Sequence, residues 1–174
     1  MPDSNFFGAH IAAVGDFSEK LKGKVQVGYQ TRQFDRLSNG SRGGSHGLPI
    51  FKAELDYDYT QKGTVSLIYQ HGGTVSIHSP DSAVTRDLMT ILVNQKIGTT
   101  GKLNATLGAT YELDTYETRD AREYQYLRMN AGVSYSFNQW LSSSLRYDFQ
   151  MFDSNKGNID YNVNRVMLGL SVGY

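Results

Sequence analysis

Counted two residues at a time, most of this chain sorts into an apolar set and a polar set. The final stretch shows it plainly: Val166, Leu168, Leu170, Val172 and Tyr174 alternate with Arg165, Met167, Gly169, Ser171 and Gly173. A period of two marks a β-strand with two unlike faces. The same period predicts strands over residues 7–14, 21–34, 50–60, 64 onward, 88–97, 102–116, 124–137, 140–152 and 161–174. Residues 102–116 alternate cleanly, with Leu103, Ala105, Leu107, Ala109, Tyr111 and Leu113 set against Asn104, Thr106, Gly108, Thr110, Glu112 and Asp114. The strand from Thr64 weakens at Gly72-Gly73, and Gln95 and Leu92 each interrupt their own face of the strand over 88–97.

The predicted connections alternate in length. They are short at 16–20, 61–63, 98–101 and 138–139, and longer at 35–49, 76–87, 117–123 and 153–158. Tight turns on one side and longer loops on the other describe an up-and-down outer-membrane barrel. Gly23, Gly63, Gly101 and Trp140 open successive ascending strands at spacings of 40, 38 and 39 residues. Each repeat holds two long strands, not the four short ones of a propeller blade. Aromatic residues gather towards strand ends, as at Tyr135, Phe137 and Trp140, and at Tyr57, Tyr147 and Phe149. Such girdles suit membrane interfaces. The predicted fold class is therefore all-β: an antiparallel up-and-down transmembrane β-barrel with eight or nine strands visible, forming one domain over residues 1–174 or a fragment of a barrel.

Alternation alone does not say which face looks outward, because a soluble sandwich or barrel alternates too. Residue size and strand length favour the inverted arrangement. The polar set is repeatedly Gly or Ser, at Gly28, Ser66, Gly108, Gly132, Ser134, Ser142, Ser144, Gly169 and Ser171. A solvated outer face has no need of small residues, whereas the inside of a narrow barrel does. Among them stand charges of both signs, and these are the predicted lumen-lining residues: Lys24, Arg32, Lys52, Glu54, Asp56, Lys96, Glu112, Asp114, Arg128, Arg146, Asp148 and Arg165. On neighbouring antiparallel strands they are placed for cross-strand ion pairs. The predicted lipid-facing set is Leu107, Val133, Tyr135, Leu145, Tyr147, Val166, Leu168, Leu170, Val172 and Tyr174. Strands of 10 to 14 residues also suit a tilted membrane span better than the usual five or six of globular sheets.

Composition narrows the classes. Seventeen basic and seventeen acidic residues cancel, so charge gives no argument for a nucleic-acid partner. With no Cys, neither a disulfide framework nor a thiolate metal site can form. No run approaches the roughly 20 apolar residues of a membrane helix. A mean hydropathy of -0.44 is compatible with a barrel, whose polar lumen dilutes the average. Met-Pro-Asp-Ser-Asn-Phe-Phe at the start shows no basic and apolar regions of an export signal.

Several short stretches resemble the putative β-barrel porin family of bacterial outer-membrane proteins, often encoded with exopolysaccharide biosynthesis machinery. They are Phe152-Asp153-Ser154-Asn155, Asp160-Tyr161, and Asn164-Arg165-Val166 with Leu168-Gly169-Leu170-Ser171. Gly23-Lys24-Val25-Gln26-Val27-Gly28-Tyr29, followed by Arg32 and Phe34-Asp35, is similar to an internal strand of that family, and Pro2-Asp3-Ser4 is similar too. The resemblance implies a porin-like protein of the bacterial outer membrane, passing or exporting polysaccharide. It also implies that this chain corresponds to the C-terminal part of larger members. Its expected partners are membrane lipids, polysaccharide, and the outer-membrane assembly machinery through the C-terminal strand.

Nine strands are an odd number, while single-chain bacterial barrels have an even one. Either the chain is part of a larger barrel, or residues 7–14 are an irregular lead-in to a closed eight-stranded one. In a closed small barrel, Arg128, Arg146, Asp148 and Arg165 form a structural salt-bridge network; in a larger one they become channel wall. A small structural or adhesive barrel is the second class, with the loops over 35–49 and 115–124 as binding surfaces. Catalysis is the third. Of His10, His46, His71 and His78, only His78 has Ser79 and Asp81 close by in sequence, and adjacency in a loop makes no triad. No enzyme, cofactor or metal is expected. The oxygen-rich Asp153, Asn155, Asn158 and Asp160 lack EF-hand spacing.

Overall fold

A computed structural model describes residues 4–34, 45–75, 83–116, 122–155 and 159–173. Nine strands fill almost all of it: β1 (Ser4–Ser18), β2 (Leu21–Phe34), β3 (Ser45–Thr60), β4 (Gly63–Val75), β5 (Ala83–Ile97), β6 (Leu103–Tyr116), β7 (Glu123–Ser136), β8 (Leu141–Ser154) and β9 (Tyr161–Val172). They form one sheet in sequence order, each strand antiparallel to the next. The short connections are closed by local chemistry. Ser18 Oγ accepts the amides of Lys20 and Leu21, Thr60 Oγ1 that of Lys62, and Asn138 Oδ1 those of Trp140 and Leu141. In the β5–β6 turn Gly98 and Gly101 take φ of 78° and 63°, a region that L side chains rarely adopt.

Three sequence expectations are corrected. Residues 45–49 belong to β3, not to a loop; Pro49 fits because β4 pairs with β3 only as far as Phe51↔His71. Beyond that point β3 is laddered on one side alone, where a residue lacking its amide hydrogen is tolerated. Residues 83–87 extend β5, because Arg86 pairs with Asp114 across the β5–β6 ladder. Residues 7–14 are no irregular lead-in: β1 pairs with β2 residue by residue from Ser4↔Phe34 to Asp16↔Lys22. β9 pairs with β8 only and β1 with β2 only, so the sheet is open and no closed eight-stranded barrel forms.

The register sets the strand tilt. Following paired residues straight across the sheet gives Ile11, Val27, Phe51, His71, Asp87, Leu113, Gln125 and Asp153. Ile11 is the midpoint of β1, but Asp153 is one residue from the end of β8. The line slips by about six residues over seven strand steps, roughly 20 Å of rise across 34 Å of sheet, or about 30° of tilt. Tilt of this kind accompanies closure of a sheet into a barrel.

The two faces differ in exposure in the opposite sense to a soluble sheet. Leu107 is 57% exposed, with Val25, Val27, Tyr29, Ile91, Val133 and Leu145 exposed beside it, while in the edge strands β1 and β9 both faces are open. Apart from Gly63 at the start of β4, the buried residues (Val84, Tyr116, Tyr124, Phe152, Glu112 and Asp114) all lie on the polar side of their strands, at the long-loop end. A flat single layer would expose both faces alike; this one curls towards its polar face.

Small residues on that face make room for their neighbours. A Cβ on Gly108 would lie 2.6 Å from the Asn130 amide nitrogen and 2.9 Å from Leu92. Gly28 is tighter, since a Cβ there would meet the Ala9 carbonyl oxygen at 2.5 Å and His10 Cβ at 2.7 Å, and backbone cannot swing aside. Gly28→Ala is therefore expected to destabilise the sheet by about 1–3 kcal/mol, while Gly15→Ala, with nothing within 4 Å, stays within about 0.5 kcal/mol. Urea unfolding from detergent micelles reads both, and equal midpoints would contradict the β1–β2 packing.

Candidate functional site

Alternation and register together bring side chains from distant parts of the chain onto one patch of the polar face. Arg86 of β5 lies across from Asp114 of β6, and Leu88 from Glu112; on the other side of β6, Glu112 faces Tyr126 and Thr110 faces Arg128. The two acids are 4% exposed each. Burying a carboxylate demands compensation. Arg86 supplies it by gripping Asp114 with two bonds, Nε to Oδ1 at 2.7 Å and Nη2 to Oδ2 at 2.8 Å, while its Nε lies 3.0 Å from Glu112 Oε1. Arg128 donates from Nη1 to Glu112 Oε2 at 2.6 Å. Two guanidiniums and two carboxylates thus form a continuous network across three strands.

Nearer the long-loop end an aromatic cluster covers this network. Tyr124 packs edge-on against Tyr116 and Phe152, with centroids at 5.0 and 5.3 Å. Phe152 also meets Tyr126 at 4.8 Å and stacks on Tyr161 at 5.1 Å. Arg128 sits over the Tyr126 ring, 5.1 Å from its centroid. Towards the short turns, Arg146 Nε donates to Asp148 Oδ1 at 2.7 Å, and Arg165 is the register partner of Asp148 on β9.

The remaining predicted lumen residues lie farther around the polar face. Lys52 pairs with Glu54 at 2.6 Å, Lys24 stands across from Glu54, and Asp56 accepts a hydrogen bond from Ser66. Lys96 is exposed near the short-turn end, and Arg32 lies in β2 opposite Phe6 and His46. Of the predicted lipid-facing residues, the nine from Leu107 to Val172 are exposed; Tyr174 lies outside the described residues. The sequence reading missed Arg86 and the buried cluster of Val84, Tyr116, Tyr124 and Phe152. Parity with Leu88 and an acid on the facing strand were the signal for Arg86.

On the opposite face a few polar groups satisfy one another. Tyr69 donates to Asp87 Oδ1 at 2.7 Å, and His71 Nδ1 lies 2.8 Å from the same oxygen. Tyr59 donates to Gln95 at 2.5 Å, which explains the glutamine that interrupted the apolar set, and Tyr147 donates to Asn164 at 2.6 Å. His78, Ser79, Asp81 and Asn158 lie outside the described residues, as do most of the two loops considered for binding. Among the described residues no His, Asp and Glu group is arranged to hold a metal ion.

Long tilted strands in one up-and-down sheet, apolar on the exposed side and charged on the occluded one, define the class of outer-membrane β-barrel proteins. The chain belongs to the family described as putative beta-barrel porin 2, whose profile matches residues 3–174. It is similar in fold to OmpT, an outer membrane protein of Vibrio cholerae. Against the loop L8 deletion mutant the TM-score is 0.64 at 15% identity, covering 96% of this chain and 53% of that one. Against the in-vitro folded trimer form the values are 0.61, 12%, 96% and 56%, and against a further in-vitro folded form 0.63, 14%, 96% and 55%. At such identities the likeness is one of fold alone, and the chain spans about half the length of these structures. No curated protein matches it. Family and neighbours point to the bacterial outer membrane.

Proposed function

We propose that this chain forms part of the wall of a porin-like conduit, with the charged face turned to an aqueous lumen and the apolar face to lipid, and that polysaccharide passes through it. The single observation behind this reading is the inversion of burial. Glu112 and Asp114 are enclosed and neutralised by arginines, while leucines on the other face have no protein over them. Exposed apolar area on this scale marks a surface that meets lipid. The wall is wide: nine strands make about half of the neighbouring structures, and barrels of about 16–18 strands leave an aqueous channel where eight-stranded ones are filled. On this reading the lumen charges tune selectivity. Lipid is the partner of the apolar face, and β9, with its exposed Val166, Leu168, Leu170 and Val172, is the strand offered to the assembly machinery.

The test is electrical. Native protein, extracted in detergent and inserted into a planar bilayer, is expected to give discrete conductance steps. Folded, inserted protein that leaves the bilayer sealed would overturn the conduit and favour a structural barrel.

A further inference from the structure

The polar face carries both signs of charge throughout, but its arginines gather at one end of the sheet. On β2 and β3, Lys22, Lys24 and Lys52 are matched by Glu54, Asp56 and Asp58. On β7, β8 and β9 three arginines, Arg128, Arg146 and Arg165, face two carboxylates, Asp148 beside them and Glu112 of β6. All three line one cleft of about 270 Å³, together with Asp148, Thr110, Asn130 and Gln150. Arg128 is held by Glu112 and Arg146 by Asp148, each through a single nitrogen. A guanidinium carries five N–H donors, so each keeps most of them available while its plane is fixed by a protein carboxylate. Arg165 has no ion pair within 4 Å among the described residues. Beside the cleft runs an aromatic shelf whose open ring is Tyr161, backed by the buried Phe152 and by Tyr126, and Gln150 Nε2 donates to the Tyr161 hydroxyl at 3.2 Å.

We propose that this cleft binds the acidic group of a charged polysaccharide, with the adjoining sugar ring resting on the aromatic shelf. The inference rests on the conduit reading above and names its solute class. Planar guanidiniums grip carboxylate, sulfate or phosphate oxygens bidentately. The C–H groups of a pyranose ring carry partial positive charge and pack on the negative face of an aromatic ring. A neutral sugar would have no use for the arginine excess, and a free inorganic anion none for the shelf.

The native protein in detergent micelles is titrated calorimetrically with a uronic-acid oligomer, a neutral glucose oligomer of equal length, and inorganic sulfate. The uronate oligomer is expected to bind about tenfold or more tighter than either of the others. That advantage is expected to vanish in the double variant Arg146→Gln/Arg165→Gln and to persist in Lys22→Gln on the opposite wall. Should the double variant fail to fold, judged by its circular dichroism and electrophoretic mobility, Arg146→Lys/Arg165→Lys retains the charge but loses the fork, and a clear drop in affinity is still expected. Equal affinity for the neutral oligomer, undiminished binding in the folded variants, or sulfate binding as tightly as the uronate oligomer would each overturn the proposal. Conductance of the same preparation separates the two readings. Steps without a preference for acid remove this site and leave the conduit, whereas acid-selective binding in a sealed bilayer supports the site and removes the conduit.

Discussion

Leu107→Arg is expected to weaken folding into a bilayer by about 2–4 kcal/mol. Leu107 lies near the middle of β6, its neighbours across the ladders are Val93 and Ala131, and its side chain is exposed on the apolar face. If lipid fills that exposed space, the guanidinium must enter hydrocarbon or drag water in with it. The adjacent Thr106→Arg sits at the same depth on the opposite face, beside Gly132 and Asn94. There the new charge meets water, and the expected effect is under about 1 kcal/mol. Denaturant midpoints in short-chain lipid vesicles compare the two. A larger loss for Thr106→Arg than for Leu107→Arg would mean that the sheet buries its leucines in protein and faces water with its charges.

Arg86→Met should be the most damaging change on the polar face, at about 3–5 kcal/mol. Arg86 holds Asp114 through two bonds and touches Glu112, and both acids are buried. Removing the cation strands enclosed negative charge that Arg128, already bonded to Glu112, is not placed to neutralise at Asp114. The double variant Arg86→Met/Asp114→Leu removes both partners, so most of the loss should be recovered. The same unfolding assay reads it. A double variant as unstable as the single one would show that Arg86 acts by packing, not by neutralising the acid.

The sequence carried the strand count and the faces because alternation runs unbroken for more than ten residues in β6 and β7 and is recognisable, with interruptions, in the others. It was least informative at the long-loop ends. There β3 and β5 continue past their apolar alternation, on single-sided pairing at Pro49 and on an ion pair at Arg86. Parity alone placed Glu112, Asp114 and Arg128 on one face. The cation that both acids share, Arg86, is 28 residues from Asp114, and only the register between strands brings the two together. The aromatic cluster was hidden for the same reason, since Tyr116, Tyr124, Phe152 and Tyr161 sit at the ends of four different strands. Small residues were legible as a feature of the polar face, but their cause is local: Gly108 and Gly132 leave room for Asn130 and for the Thr106 hydroxyl, whatever the bore of the barrel.

The paired polar groups on the otherwise apolar face also measure something. Along β5, Asp87 and Gln95 bracket Met89, Ile91 and Val93, and each is tied to a tyrosine hydroxyl. Eight residues at about 3.3 Å, leaning by about 30°, leave a greasy belt only about 23 Å high. A bilayer with a hydrocarbon slab of about 30 Å must thin around such a belt, at a fraction of a kcal/mol for every ångström of mismatch. Membranes of shorter acyl chains are thus the better solvent for this molecule, and its efficiency of insertion should fall steadily as the tails lengthen.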